Sequence, residues 1–332
     1  MTFEEALAAW LPGQRWFAGK HAPITSLTIT ADTSLVPGEP GLRHLLLAVE
    51  QGAGGSDGGT DTYQVLAGVR RRLPDRLQHA VIGPDGRGNL AYDGLHDPEL
   101  TKPLLAAMAA GSTIGTLRFA SEAGAVIDAA SDGLVLTAEQ SNTSVLFGEE
   151  AILKLFRRPS PGPNPDLEIP RTLARLGSQH VAPPLGWIEG GLGGDTAVLG
   201  ILAEYLRAAA DGWSLAATSV RDLYAMESGS AAEAGGDFAG EAHRLGEATA
   251  EVHRDLAAAF GSEEIGREAL AGLAGGMLRR LARAVAAVPD LAPHEPALHA
   301  AFSEVATLED PVAVQRIHND YHLGQAMHTQ TG

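Results

Sequence analysis

The stretch Gln315-Arg316-Ile317-His318-Asn319-Asp320-Tyr321-His322-Leu323-Gly324-Gln325 concentrates two histidines, an aspartate, amides and a glycine near the C-terminal end of the sequence. In a phosphoryl-transfer loop an aspartate accepts or orients the proton of the attacking hydroxyl. Five residues later an oxygen ligand holds the magnesium that neutralises the phosphates. Asp320 and Gln325 have that spacing, and His318 stands two residues before the aspartate, where such loops carry a structural histidine. Two other readings fit the same residues. His318, Asp320 and His322 alternate, so on an extended segment they share a face and could ligate a metal. The third reading is a polar turn without chemistry. The rest of the chain has to choose.

A loop of this kind needs a phosphate-holding partner, and the middle of the chain offers one. Strand-like runs at 113–119, 134–139, 145–148 and 151–156 surround the segment Glu139-Gln140-Ser141-Asn142-Thr143-Ser144-Val145. A hairpin of small hydroxyl and amide residues can set backbone N–H groups and hydroxyls around phosphate oxygens. Lys154 then interrupts an apolar strand, Ala151-Ile152-Leu153-Lys154-Leu155-Phe156, either as an edge residue or pointing into a site. Glu168 follows at the start of an expected helix over 166–177. A strand lysine paired with a glutamate on the next helix is a nucleotide-holding arrangement. The apolar run from Thr196 ends in Glu204-Tyr205-Leu206, an expected strand end and linker whose backbone would meet adenine.

The flanks set the frame. Helix 2–11 is expected from Thr2 as N-cap with Glu5 three residues later. Leu11-Pro12-Gly13-Gln14-Arg15-Trp16-Phe17-Ala18-Gly19-Lys20 is expected to pack a helix onto a sheet. Strands are expected at 24–32, 42–50 and 62–70, and a helix over 97–110 started by Asp97-Pro98. After residue 207 the pattern turns helical: 212–226, a face running from Phe238 to Leu256, 263–287 and 296–308, with a loop at 227–237. A β-rich half followed by a helical half is a two-lobed order.

Composition narrows the function classes. Lys and Arg total 24 against 41 Asp and Glu, a net charge of −17, which disfavours nucleic acid and anionic membranes as partners. There are no cysteines in the 332 residues, so disulfides and thiolate zinc sites are excluded and a reducing compartment is allowed. The N-terminus lacks a signal-peptide pattern, and no apolar run has the length of a membrane span.

Taken in order, the 11–20 motif, Glu139 to Val145, Lys154, Glu168, the Leu245-Gly246 to His253 helix and His318 to Gln325 resemble one family. It is the maltokinase-like branch of the aminoglycoside-phosphotransferase (protein-kinase-like) superfamily. The resemblance spans nearly the whole chain. It implies an α+β, bilobal protein-kinase-like fold: a cap over 1–92, a β-rich nucleotide-binding subdomain over 93–207, and a helical C-lobe over 208–332. It further implies ATP and Mg²⁺. Asp320 would be the catalytic carboxylate, with His322 beside the sugar and Gln325 as metal ligand. Ser141, Asn142, Thr143, Ser144, Lys154, Glu168, Glu204 and Leu206 would bind nucleotide.

The expected partners are a small sugar and ATP, for a cytoplasmic monomer. Maltokinases read His-Gly-Asp-Leu-His-Leu-Gly-Gln in this loop. Asn319 and Tyr321 depart from that and look more like the related actinobacterial glucosamine kinases. Glucosamine to glucosamine 6-phosphate is therefore the first expectation and maltose 1-phosphate the alternative. A metallohydrolase and an inactive kinase-like binding module follow behind. The family carries a further metal-binding Asp, in an Asp-Phe-Glu segment on the next strand. The sequence ends where that segment should begin, so the expectation is a fragment with an incomplete C-lobe.

Overall fold

A computed structural model of the protein describes residues 1–20, 22–52, 59–136, 141–207, 210–226, 229–230, 238–318 and 321–329. The chain divides into two compact units, Met1–Ala210 with His328–Gly332, and Asp211–Met327.

The first unit holds two sheets. α1 (Phe3–Trp10) begins at the expected capping box, with Thr2 accepting from the Glu5 N–H and the Glu5 carboxylate accepting from the Thr2 N–H. β1 (Ile24–Val36), β2 (Gly41–Gln51), β3 (Thr60–Arg70), β4 (Val81–Pro84) and β5 (Leu90–Asp93) form a five-stranded antiparallel sheet in the order β1-β2-β3-β5-β4. Side chains alternate faces along a strand, so β2 and β3, apolar on both, must be covered on both. Leu45, Leu47, Val49, Tyr63, Val65 and Ala67 meet α1, Trp16 and Phe17 on one side. Leu42 and Leu66 join a second core on the other. Trp16 and Phe17 therefore pack, as their apolar setting predicts; Trp16 meets Trp10 edge to face with centroids 5.6 Å apart.

That second core runs on past residue 93 without a break. It includes α2 (Pro98–Ala109), whose N-cap is Asp97 as expected, and one face of a seven-stranded sheet. β6 (Thr113–Ile114) and β7 (Leu117–Ser121) replace the single strand expected at 113–119, because Gly115, with φ of +58°, turns the chain between them. β8 (Gly133–Leu136), β9 (Asn142–Phe147), β10 (Ala151–Phe156), β11 (Pro184–Leu192) and β12 (Asp195–Glu204) complete the order β6-β7-β11-β12-β10-β9-β8. α3 (Pro165–Arg175), capped by Asn164, lies over the opposite face. There Leu167 packs with Phe156, Trp187, Val198 and Ile201.

The second unit is helical: α4 (Gly212–Ala225), α5 (Phe238–Phe260), α6 (Arg267–Ala287) and α7 (Glu295–Glu304). The expected helix over 263–287 starts later. Ser262–Ile265 is a strand between Gly261 and Gly266, and it pairs antiparallel with Val312–Gln315. The apolar run before the histidine-rich loop needed a ladder partner, and this segment supplies it.

Candidate active site

In the first unit three candidate residues, Asn142, Ser144 and Lys154, lie on the α3 side of the seven-stranded sheet. Lys154 lies opposite Ser144 of β9 and Ile201 of β12, and Phe156 lies opposite Asn142. By the period of two, Lys154, Ser144 and Asn142 share a face. Lys154 Nζ donates to Asp166 Oδ2 at 2.7 Å and lies 5.6 Å from the centroid of the Phe156 ring. Asp166 belongs to the first turn of α3, two residues before Glu168, which the sequence reading paired with the lysine. An acid there also favours the helix dipole.

α3 is itself fixed. The Glu122 carboxylate accepts from Arg171 and from Arg175, and the Arg171 guanidinium lies 4.2 Å from the Trp187 ring centroid. Burial pushes the Glu122 pKa up, but the hydrogen bonds from Arg175 and Arg171 outweigh it and hold the carboxyl below its usual range.

The second strand of the expected phosphate hairpin starts earlier than 145, since β9 already begins at Asn142. Glu139 and Gln140 lie outside the described residues. Ser141 is exposed, with its hydroxyl accepting from Asn142 Nδ2 at 3.2 Å. Thr143 and Ser144 are buried. Thr143 points to the other face, where its hydroxyl accepts from Arg157 Nε at 2.8 Å, so its side chain is committed inside the fold. Glu204 ends β12 opposite Ala151, and the Tyr205 N–H then donates to the Glu150 carbonyl at 2.8 Å. Leu206 follows, half-buried.

In the second unit the histidine-rich loop is tied to α5 by side-chain contacts. The Gln315 side chain donates to the His253 carbonyl at 2.9 Å, and Arg316 lies over the Phe260 ring at 4.4 Å. The His318 and Tyr321 rings are 5.8 Å apart, and the Tyr321 hydroxyl shares a 2.8 Å hydrogen bond with Thr249. Asn319 and Asp320 lie outside the described residues.

His322 caps a single 3-10 turn, Leu323–Gln325, its Nδ1 accepting from the Gly324 N–H at 3.1 Å. In the neutral ring Nε2 then carries the proton and offers a donor. A Cβ on Gly324 would stand 2.9 Å from the His322 ring, so a larger residue there would displace the capping imidazole. Gly212 is held more strictly: a Cβ there would meet backbone, the Leu323 carbonyl at 2.8 Å, while its N–H donates to the Ala326 carbonyl at 2.9 Å. Gln325 is exposed. Among the described residues no group of three His, Cys, Asp or Glu side chains could hold a metal ion.

Two residues escaped the sequence reading. Asp166 had a signal: the first turn of the helix carries two acids, and only one was considered. Arg157 had none, because its partners, Asp93 and Trp16, are far away in sequence.

Residues 10–97 match the model of the maltokinase N-terminal cap domain. A glucosamine kinase of Streptacidiphilus jiangxiensis is 29% identical over 202 residues, which are 57% of this chain and 43% of that protein. The solved structure of a glucosamine kinase in complex with glucosamine, ADP and inorganic phosphate superposes with a TM-score of 0.61 at 22% identity, covering 99% of this chain and 70% of that one. The chain shares the fold of this glucosamine-kinase structure, and its residues 10–97 match the maltokinase cap model. A further crystal form of glucosamine kinase gives a TM-score of 0.63, also at 22% identity. The chain spans less than half the length of the curated relative it matches, at 43%.

The maltokinase-type cap includes Trp16, His44, Gln64, Asp93 and Asp97. Asp97 is fully buried; it accepts from the Tyr92 hydroxyl at 2.7 Å, from Arg70 at 2.8 Å and from Arg76 at 3.2 Å. Burial raises its pKa, but the Tyr92 and Arg70 hydrogen bonds prevail and hold it below the usual carboxylate range. Among the described residues no helix is long and apolar enough to cross a membrane.

Proposed function

We propose that this chain carries the machinery of an ATP-dependent sugar kinase, with glucosamine as acceptor and its 6-hydroxyl as nucleophile. The observation that carries the reading is the Lys154–Asp166 pair on the face shared with Asn142 and Ser144. A cation held by an acid beside small polar residues suits phosphate oxygens, since the acid restricts a flexible lysine to one geometry. Lys154 then binds the α- and β-phosphates, with Ser141, Asn142 and Ser144 beside it and the backbone of Thr143 next to them. Glu168 lies two residues after Asp166 and belongs to the same acidic turn. The strand end Glu204 to Leu206 borders the base.

Asp320 acts as the carboxylate that takes or orients the hydroxyl proton. His322 offers its Nε2–H to the sugar. The exposed Gln325 amide offers an oxygen of the type Mg²⁺ prefers. When bound, Mg²⁺ offsets the charge on the phosphates.

Glucosamine leads because Asn319 and Tyr321 depart from the maltokinase loop, and because related proteins of this fold are named glucosamine kinases. A primary hydroxyl is the least hindered nucleophile on the ring, and the amine at C2 lies far enough away to be recognised by separate acids. A site built for an ammonium rejects sugars that leave its acids unpaired. The match of residues 10–97 to the maltokinase cap is the observation favouring the second reading, maltose phosphorylated at its anomeric carbon.

The test is kcat/KM with Mg-ATP for glucosamine, glucose, N-acetylglucosamine and maltose, with the phosphorylated position read by ³¹P NMR. Glucosamine 6-phosphate as the preferred product supports the first reading. Preference for maltose, with an anomeric phosphate, replaces it by the second. No sugar-dependent ADP release with any of the four removes both and leaves a binding module.

A further inference from the structure

Among the described residues Arg157 is the largest fully buried side chain, 1% exposed, and it stands three residues after Lys154. Its guanidinium donates to the Asp93 carboxylate at the end of β5 and to the Thr143 hydroxyl at the start of β9, and lies 4.6 Å from the Trp16 ring centroid. Asp93 and Trp16 belong to the cap; Thr143 lies between Asn142 and Ser144. The Arg157 carbonyl accepts from the Gln64 N–H at 2.8 Å. The Gln64 side chain donates to the Phe156 and Leu199 carbonyls, each at 2.6 Å. Its own oxygen accepts from His44 at 2.8 Å. The end of β10 is thus tied to the cap through both main chain and side chain.

Stability alone does not call for this arrangement. Packed hydrophobic residues often hold two sheets as well as a buried ion pair does. Arg157 also leaves Nη1 without a hydrogen-bond partner, a buried donor that costs free energy. A guanidinium fork does fix direction, because its planar donors specify where both partners sit. We propose that Arg157 is a positioning residue through which the cap fixes the first residues of β9 against Lys154. The cap, by this account, preorganises the nucleotide side of the site and makes no contact with the sugar. The proposal rests on the kinase reading above.

The experiment compares wild type with Arg157→Lys, Thr143→Val and Thr143→Ser, measuring MgADP affinity by calorimetry, KM for ATP and for sugar, and thermal unfolding. Arg157→Lys keeps a charge opposite Asp93 but loses the fork. Thr143→Val removes the acceptor at nearly constant shape, and it carries the test should Arg157→Lys fail to fold. Both are expected to weaken MgADP binding about tenfold, with the sugar KM within about twofold. Thr143→Ser, which keeps the hydroxyl, restores binding. A purely structural role would lower the melting temperature and leave the affinity of the folded protein unchanged. Wild-type MgADP affinity in both Arg157→Lys and Thr143→Val overturns the proposal while leaving the kinase reading intact. Failure of the wild type itself to bind MgADP removes the kinase reading and the proposal with it.

Discussion

In residues 1–210 both faces of β2 and β3 are covered, and charged side chains as large as Arg157 lie inside. In residues 211–327 the buried apolar side chains among the described residues are Leu256, Leu270, Ala274 and Leu281, while Trp213, Val220 and Tyr224 stand exposed along α4. Position in the first unit is therefore set by enclosure. In the second, the histidine-rich loop is set by a few hydrogen bonds: His322 to Gly324 within its own turn, Tyr321 to Thr249 of α5, and Gly212 to Ala326. A few hydrogen bonds shape this loop without enclosing it, so side chains such as His322 and Gln325 stay exposed. A residue change in the first unit should consequently register in stability, and one in the loop in turnover.

The sharpest separation is expected at Asp320. Asp320→Asn removes proton acceptance and the local negative charge, and is expected to lower kcat about 10³-fold. Because Gln315, Tyr321 and His322 tie the flanking residues of the loop, the melting temperature should stay close to wild type. Near-normal turnover in that variant would take the catalytic role from Asp320. A large loss of stability would show that the loop shares in the fold after all.

Asp97 is the counterpart in the first unit. Replacing it with Ala strips Arg70 and Tyr92 of a buried partner and also removes the N-cap of α2. Breaking a buried pair on one side costs about 3–5 kcal/mol, measurable by urea unfolding at pH 7. Asp97→Asn keeps the cap oxygen and should lose less. A cost under about 1 kcal/mol would mean that the arginines find water or other carboxylates, and that enclosure matters less than stated.

Acid should also act first on the enclosed unit. Burial depresses the His44 pKa to about 4 from 6.5, against the smaller upward effect of its Gln64 hydrogen bond. Between those values the unfolded chain holds a proton that the folded ring refuses. The unfolded state binds more protons there, so stability falls as pH falls, by about 3 kcal/mol across the window. His96, also depressed chiefly by burial, acts in the same direction. The depressed carboxylates, Asp97 and Glu122 among them, add their losses only below their unfolded values near 4. Urea midpoints at pH 7.5, 6 and 5 should decline, and His44→Asn, which keeps a donor for Gln64 without titrating, should flatten the decline. An unchanged slope in that variant would place the acid sensitivity elsewhere.

How far the sequence carried depends on the range of each interaction. Thr2 with Glu5, Asp97 before Pro98, and Lys154 within an apolar strand were legible because cap and strand signals lie within a few residues. The apolar runs of β2 and β3 gave the strands but not the fact that both faces are covered, which needs a second layer in view. Lys154 was legible as a strand lysine facing an acid of the next helix, but the acid 2.7 Å away is Asp166 and not the expected Glu168, since helix phase near an N-cap decides between two acids of one turn. The Arg157–Asp93 pair joins positions 64 residues apart, and nothing local marks it. Ser262–Ile265 was read as helix because its strand pairing depends on Val312–Gln315, far along the chain.

The smallest expected effect is the most direct check on the contrast between the units. Leu199 is fully buried beneath the cap, and Val220 lies half exposed on α4. Leu199→Ala removes transfer free energy and leaves a cavity that the two sheets cannot collapse, a loss of about 2–5 kcal/mol. Val220→Ala removes two methyl groups that water already reaches and improves helix propensity, so the change should stay within about 0.5 kcal/mol of zero. Both are read from urea unfolding of otherwise identical proteins. The pair controls for the chemistry of truncation, since each substitution deletes an aliphatic side chain back to Cβ. If Val220→Ala instead costs more than about 1.5 kcal/mol, its methyls are losing packing and not water. The α4 stripe would then be covered in solution, and the openness of the helical unit would cease to distinguish it from the first.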